Sequence, residues 1–272
     1  MQPFRHFPPA LRSRIRFVLT DIDDTLTVDG RLPSAALAAM EALRAGGIRV
    51  VPITGRPAGW CDHMARMWPI EALVGENGAF YFAYDDRRRR MRRCYWKTED
   101  ERRADRRRLA TLEATILARV PGCRVSADQA YREADLAIDF GEDVTPLPIS
   151  AVNTIKRCFE QAGAQAKISS IHVNGWFGDY DKLAMTRRLF RDLFATDVDS
   201  AQEEMIFVGD SPNDVPMFAH FTHSVGVANV RRFLERMDHL PAWVTQNGGG
   251  RGFAEMVGVL LDRSCGPIGC RS

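Results

Sequence analysis

The sequence is short of several things. Its six cysteines, Cys61, Cys94, Cys123, Cys158, Cys265 and Cys270, form no CxxC pair and no His/Cys pattern at zinc spacing, so no zinc site is readable and reduced thiols are expected. No apolar run approaches the roughly 18 residues that span a bilayer, and the opening MQPFRHFPPALRSRIR lacks the apolar segment of about 7–15 residues of a secretory signal. A soluble, cytoplasmic protein with no membrane partner is the expectation. Excess charge is also missing: 37 Lys and Arg stand against 35 Asp and Glu, a formal net charge of +2, which argues against a dedicated nucleic-acid binder. The chain carries no internal repeat.

What is present is ordinary globular material, 272 residues of which 45% are apolar and 26% charged, enough for one large domain or a core with a smaller module. Short β-branched apolar runs alternate with helical periodicity: a strand at 15–19, a helix in SAALAAMEALRAGG with Ser34 as N-cap, a strand in IRVVPIT, a helix in AGWCDHMARMW, then strand, turn and strand in ALVGENGAFYFAY. That alternation predicts an α/β fold, a doubly wound parallel sheet with helices on both faces. The middle of the chain breaks the rhythm. An arginine-rich strand, a helix over 99–120, a hairpin over 123–140, a helix over 148–163 and a strand in KISSIHVNGW read as βαββαβ, an inserted α+β module over residues 85–175, leaving 1–84 and 176–272 as the core. The linkers are expected near Tyr84–Asp86 and Gly175–Tyr180. After them come a helix in DKLAMTRRLFRDLF, the strand MIFVGD, a helix in NDVPMFAHF, a short strand in SVGVA, a helix in NVRRFLERM and a Gly-rich loop into a last helix, before the tail SCGPIGCRS.

In such a sheet, ligands bind outside the carboxyl ends of the strands. Four polar clusters follow predicted strands: Asp21-Ile22-Asp23-Asp24-Thr25, Thr54-Gly55-Arg56, Glu76-Asn77-Gly78, and Gly209 to Asp214. Singly, each is an ordinary set of turn formers and helix caps. Together, carboxylates from two strand ends repel unless a cation lies between them, and an all-oxygen set suits Mg2+, making Asp21 and Asp210 candidate metal ligands. A metal beside an ionised carboxylate suits phosphoryl transfer, with an aspartate nucleophile and Asp23, two residues on, as the proton donor and later the base.

DIDDTLT resembles the DxDxT signature of the haloacid dehalogenase superfamily, followed in order by Thr54, a lysine opening a helix at Lys182, and the acidic GDSPNDVPMF. TGRP, GENGA and GDxxND, with a long insert between the second and third motifs, resemble the branch with a type II cap, which includes Cof-like sugar phosphatases and sucrose-phosphate and mannosyl-3-phosphoglycerate phosphatases. The resemblance implies an HAD-like core with a specificity cap, and a Mg2+-dependent phosphomonoester hydrolase acting on a sugar phosphate or similar small phosphorylated metabolite through an aspartyl-phosphate. It implies Asp21 as nucleophile and metal ligand, Asp23 as acid and base with its carbonyl on the metal, and Lys182 as their neutralising partner. Thr54, Gly55, Arg56, Asn77 and Asn213 are the implied substrate and phosphate contacts, Asp210 the second metal carboxylate, and Asp214 its support. Asp24, where many relatives have glycine, reads as turn-forming. A phosphomutase, which shares these motifs, and a non-catalytic anion- or RNA-binding protein are the alternatives.

Arginine is dense in the insert, at Arg87–Arg90, Arg92 and Arg93, and again at Arg102, Arg103 and Arg106–Arg108. These are either a solvated edge strand and helix face, or a set of guanidiniums turned toward the cleft to read a second anionic group. Ser169, Ser170, His172, Asn174 and Trp176 put one polar strand face either on substrate or on solvent; His172 alone reads as a satisfied strand histidine.

Overall fold

The architecture was taken from a computed structural model, which describes residues 1–169 and 171–262. The chain opens with β1 (Gln2–Pro3), α1 (Pro9–Arg12), β2 (Phe17–Thr20), α2 (Ser34–Ala45), β3 (Arg49–Pro52) and α3 (Ala58–Met67). Next come β4 (Leu73–Gly75), β5 (Phe80–Asp85), β6 (Arg90–Tyr95), α4 (Glu99–Arg119), β7 (Arg124–Val125), β8 (Leu136–Asp139), α5 (Ile149–Gln161), β9 (Gln165–Ile168) and β10 (His172–Trp176). It closes with α6 (Lys182–Phe194), β11 (Met205–Gly209), α7 (Val215–His220), β12 (His223–Gly226), β13 (Trp243–Val244) and α8 (Gly249–Leu261).

Six strands form one parallel sheet in the order β1-β13-β12-β11-β2-β3. The strand period of two sorts its side chains into two cores. Val18, Ile206 and Val208 join α2, α3 and α8 on one face, whereas Phe17, Leu19, Met205 and Phe207 join α6 and α7 on the other. The doubly wound α/β reading is therefore observed. α2 begins with Ser34 as its first helical residue, preceded by extended Pro33, so no side chain caps it. The stretch 228–236 is a 3-10 helix and not an α-helix.

The inserted region differs from βαββαβ in two places. β6 pairs antiparallel with β5 from Phe80↔Tyr95 to Asp85↔Arg90, and β5 pairs with β4. The expected linker at 84–86 is thus the end of β5 and the start of a hairpin turn over 86–89, and the chain departs toward the insert only after β6. KISSIHVNGW is two antiparallel strands, with Val173 opposite Ile168; Ser170, between them, lies outside the described residues, as do Cys265, Cys270 and the SCGPIGCRS tail. The insert's sheet runs β7-β8-β10-β9 with its own core, where Leu109, Leu112 and Ile116 of α4 meet Ile155 and Phe159 of α5. We propose that this unit is a separate cap.

Phe159 fixes the register of that core. It is fully buried, and a Cβ at Gly175 on β10 would lie 2.1 Å from its ring, so glycine is what lets helix and sheet meet there. Cys61, Cys94, Cys123 and Cys158 are unpaired, and no helix among the described residues is long and apolar enough to cross a membrane. Phe159→Ala is expected to cost about 3–5 kcal/mol, read as a fall in the denaturant midpoint; an unchanged midpoint would remove Phe159 from the cap's core.

Candidate active site

The strand register assembles the site. β2 and β11 are neighbours, with Thr20 opposite Val208, and the Asp21 amide donates to the Val208 carbonyl at 2.9 Å. Asp21 and Asp210 therefore leave the sheet side by side. Their carboxylates and that of Asp214, all buried, approach within 4.8 Å of one another.

Five of the six carboxylate oxygens accept from a protein donor. Lys182, buried at the start of α6, donates to Asp21 Oδ1 at 2.7 Å and to Asp214 Oδ1 at 3.0 Å. Asp214 Oδ2 accepts from the Asp210 amide at 3.1 Å. Asp210 accepts from Thr25 at 3.3 Å and from Asn229 Nδ2 at 3.0 Å. Asp214 is thereby spent on protein donors, whereas Asp21 Oδ2 has none among the described residues. Burial pushes the Asp21 carboxyl above its usual range, against the pull of Lys182, and Asp214 and Asp23 add to the rise. Burial, then Asp214 and Asp21, do the same to Asp210. Three facing carboxylates with one ammonium hold surplus negative charge in a dry place, a donor set of oxygens only that fits a hard divalent cation.

The second and third polar turns close the cleft from the side. The Thr54 hydroxyl, fully buried, accepts from the Arg56 amide at 3.1 Å, while Gly55, Arg56 and Asn77 face the cleft. Asn77, at φ 56, keeps a buried Nδ2 without a hydrogen-bond partner, and a Cβ on Gly55 would sit 3.2 Å from that atom. Gly78, at φ 109, brings this turn against α6: a Cβ there would be 2.1 Å from the Asp181 carbonyl. Arg56 turns toward Asp23, with Nη2 2.7 Å from Oδ1 and Nε 3.0 Å from both oxygens. Asn213 lines the cleft and accepts from Ser211 Oγ at 2.8 Å. Asp24 adopts φ 55, its amide donating to Thr27, as a turn former would.

From the cap, Arg132, Lys167, Ser169, His172 and Asn174 line the same cleft, so the polar face of β10 is turned inward. None of Arg87–Arg93 or Arg102–Arg108 does, which corrects the cleft-facing reading of that cluster. Those side chains fasten elements instead: Arg93 to Asp62, Arg92 to Asp192, Arg106 to Glu133, with Arg108 over Phe177 and Arg102 over Tyr95. β6 is an edge strand, where arginine resists edge-to-edge pairing.

Residues outside the expected set hold the arrangement. Asn229 ties three loops, donating to the Asp24 carbonyl and Asp210 and accepting from the Gly249 amide; it follows β12, so the strand-end rule points to it. Glu76, fully buried, accepts from the amides of Ala58, Glu133, Ala134 and Asp135, and Arg132 donates to the Gly55 carbonyl at 3.1 Å. Burial and Asp135 push the Glu76 carboxyl up, while Arg132 and the amides pull it down.

The family model for haloacid dehalogenase-like hydrolases matches residues 18–100 and 192–248. A phosphoglycolate phosphatase of Methanoculleus marisnigri is 24% identical over 245 residues, 89% of this chain and 95% of that protein. A crystal structure of a Thermoplasma acidophilum protein superimposes with TM-score 0.69 at 18% identity, covering 90% of this chain and 98% of that one. The sucrose-phosphatase of Synechocystis, solved with sucrose and phosphate, gives 0.62 at 15% identity, covering 90% and 97%.

Glu76→Ala leaves four amides without their acceptor, at roughly 1–3 kcal/mol for each that stays buried. Amide exchange at residues 133–135 is expected to accelerate by about tenfold or more while β11 stays protected; unchanged exchange at 133–135 would show that Glu76 does not seat the cap.

Proposed function

The chain belongs to the haloacid dehalogenase-like hydrolase family, and from that premise we propose that it is a Mg2+-dependent phosphomonoester hydrolase acting on a sugar phosphate or similar small phosphorylated metabolite. The observation that carries the reading is Asp21. It lines the cleft, its Oδ1 is held by Lys182, its Oδ2 is left without a protein donor, and Asp23 stands on the same wall.

In the reaction, an Asp21 oxygen attacks phosphorus and the ester P–O bond breaks as Asp23 gives its proton to the leaving oxygen. Asp23, now a carboxylate, takes a proton from water; the water oxygen attacks phosphorus, the Asp21–phosphorus bond breaks, and inorganic phosphate leaves. Lys182 fixes the rotamer of Asp21 and offsets its charge. Thr54 shapes the turn from which Gly55 and the unpartnered Asn77 Nδ2 meet the phosphoryl oxygens, with Asn213 opposite. Asp21, Asp210 and the Asp23 carbonyl would hold Mg2+, with Asp214 supporting; when bound, the ion offsets the carboxylates' repulsion and neutralises phosphoryl charge.

The cleft at Asp21 measures about 50 Å3 and adjoins a cavity of about 360 Å3 that shares Asn77, Lys167 and Asn213 with it, so residues of the cap face the substrate's leaving group and movement of the cap would admit it. Lys167 is the cap's cleft-facing cation without an ion-pair partner among the described residues, since Arg132 is taken by Asp128 and Asp135. That favours a substrate with a second anionic group, such as the phosphoglycolate for which the Methanoculleus marisnigri relative is named.

Asp21→Asn and removal of Mg2+ by chelation are each expected to reduce p-nitrophenyl phosphate hydrolysis to background; normal turnover by either preparation would falsify the mechanism. In a panel of phosphorylated metabolites, Lys167→Ala is expected to raise KM for phosphoglycolate by roughly tenfold, about 1.4 kcal/mol, and to spare neutral sugar phosphates. Equal effects on both would take Lys167 out of substrate selection, and sugar-phosphate interconversion faster than phosphate release would identify a mutase instead.

A further inference from the structure

We propose that Arg56 is a positioning residue that couples the seating of the cap to the proton-transferring carboxylate Asp23, an inference that rests on the hydrolase reading above. Arg56 leaves the turn that faces the phosphoryl group, yet its guanidinium is already engaged. Two of its nitrogens grip Asp23, Nη2 at 2.7 Å and Nε at 3.0 Å from each oxygen. A fork of this kind sets the plane of a carboxylate as well as its distance, which a lysine cannot do. The third nitrogen, Nη1, faces the cap, 3.9 Å from Asp128 Oδ2 and 3.8 Å from Glu142 Oε1.

Exposure runs in the matching direction. The Arg56 side chain is 8% exposed and that of Asp23 32%, so the more exposed carboxylate is held by the more buried guanidinium. The guanidinium lies over the Trp60 ring, 4.6 Å from its centroid, a cation–π contact that adds to its placement. Asp128 is fixed in turn, accepting from Ser126 and from two Arg132 nitrogens, and Glu142 lies 2.9 Å from His172 Nε2. A chain of charged contacts therefore runs from Glu142 through Arg56 to Asp23, crossing from cap to core.

The Nε and Nη2 edge that would fork a phosphoryl group is already committed to Asp23. What the geometry supplies instead is a condition. With the cap seated, Nη1 has two counter-charges and the fork is held square to Asp23; with the cap lifted, Nη1 faces water and the guanidinium can swing. Proton transfer is thereby confined to the closed state, where the alkoxide leaves and where water is later activated.

The two steps respond differently to a misplaced Asp23. An alkoxide cannot leave without a proton, whereas p-nitrophenolate can, and kcat/KM reports events only through departure of the first product. In the full-length protein with Mg2+, Arg56→Ala is expected to lower kcat/KM for glycerol 3-phosphate by about 10²-fold or more and for p-nitrophenyl phosphate by a much smaller factor. Nitrophenol release should then show a burst, because hydrolysis of the aspartyl-phosphate still needs the base. Added guanidinium should restore part of the alkyl-ester activity. Glu142→Gln, at a half-exposed side chain, should show the same selectivity in weaker form. If Arg56→Ala or Glu142→Gln depresses both esters alike, or raises KM for both with kcat unchanged, the coupling is wrong. Wild-type protein inert toward both esters overturns the hydrolase reading and the coupling with it, whereas an active wild type with unselective variants overturns the coupling alone.

Discussion

Everything at the cleft depends on placing four carboxylates, Asp21, Asp23, Asp210 and Asp214, at the ends of two neighbouring parallel strands. Burying one unpaired carboxylate costs several kcal/mol, and facing carboxylates add repulsion to that. The fold meets the cost with two cations that come from elsewhere in the chain. Lys182 bridges Asp21 and Asp214 from the first turn of α6, and Arg56 grips Asp23 from the turn after β3. Lys182 reaches that position because Gly78 allows its turn to pack directly on the Asp181 carbonyl. A side chain there would push α6 away and leave Asp21 without its partner, so a conformational property of one residue supports the electrostatics of another.

The same logic recurs where the cap meets the core. Glu76 gathers amides from both units, and Arg132, neutralised by Asp128 and Asp135, reaches the Gly55 carbonyl. The insert's other arginines are spent on edges and fastenings around this junction. A chain with a net charge of only +2 thus uses many charges internally, and its near-neutrality is the sum of local pairings.

Legibility in the sequence followed the range of the interaction. Asp21 and Asp210 were readable because each follows an apolar strand immediately, so a local pattern fixes its place at a sheet end, and the alternation of strands and helices carried the doubly wound core. Arg56 and Asn77 were readable as cleft residues, but the partner of Arg56 was not, since it depends on how α3 and the loop after β2 sit in space. Glu76 was harder still. A fully buried glutamate has no local signature, and its burial follows from amides 57–59 positions away. β6 was assigned to the insert because its arginines mark a change in composition; its backbone pairing with β5 ignores composition altogether.

The polar character of the cap junction bears on how the protein can move. An apolar interface resists separation in proportion to area, and partial opening recovers part of the contact. Buried hydrogen bonds behave otherwise: a donor pulled away from its acceptor but not yet reached by water costs the full desolvation penalty, and the cost disappears once both are wet. Glu76 with its three cap amides and Arg132 with its carbonyl therefore favour two arrangements, fully seated or fully hydrated, over any intermediate. Only in the seated arrangement does Arg56 Nη1 face the carboxylates of Asp128 and Glu142. On the proposed coupling, the polar seam would make the passage between the two arrangements abrupt.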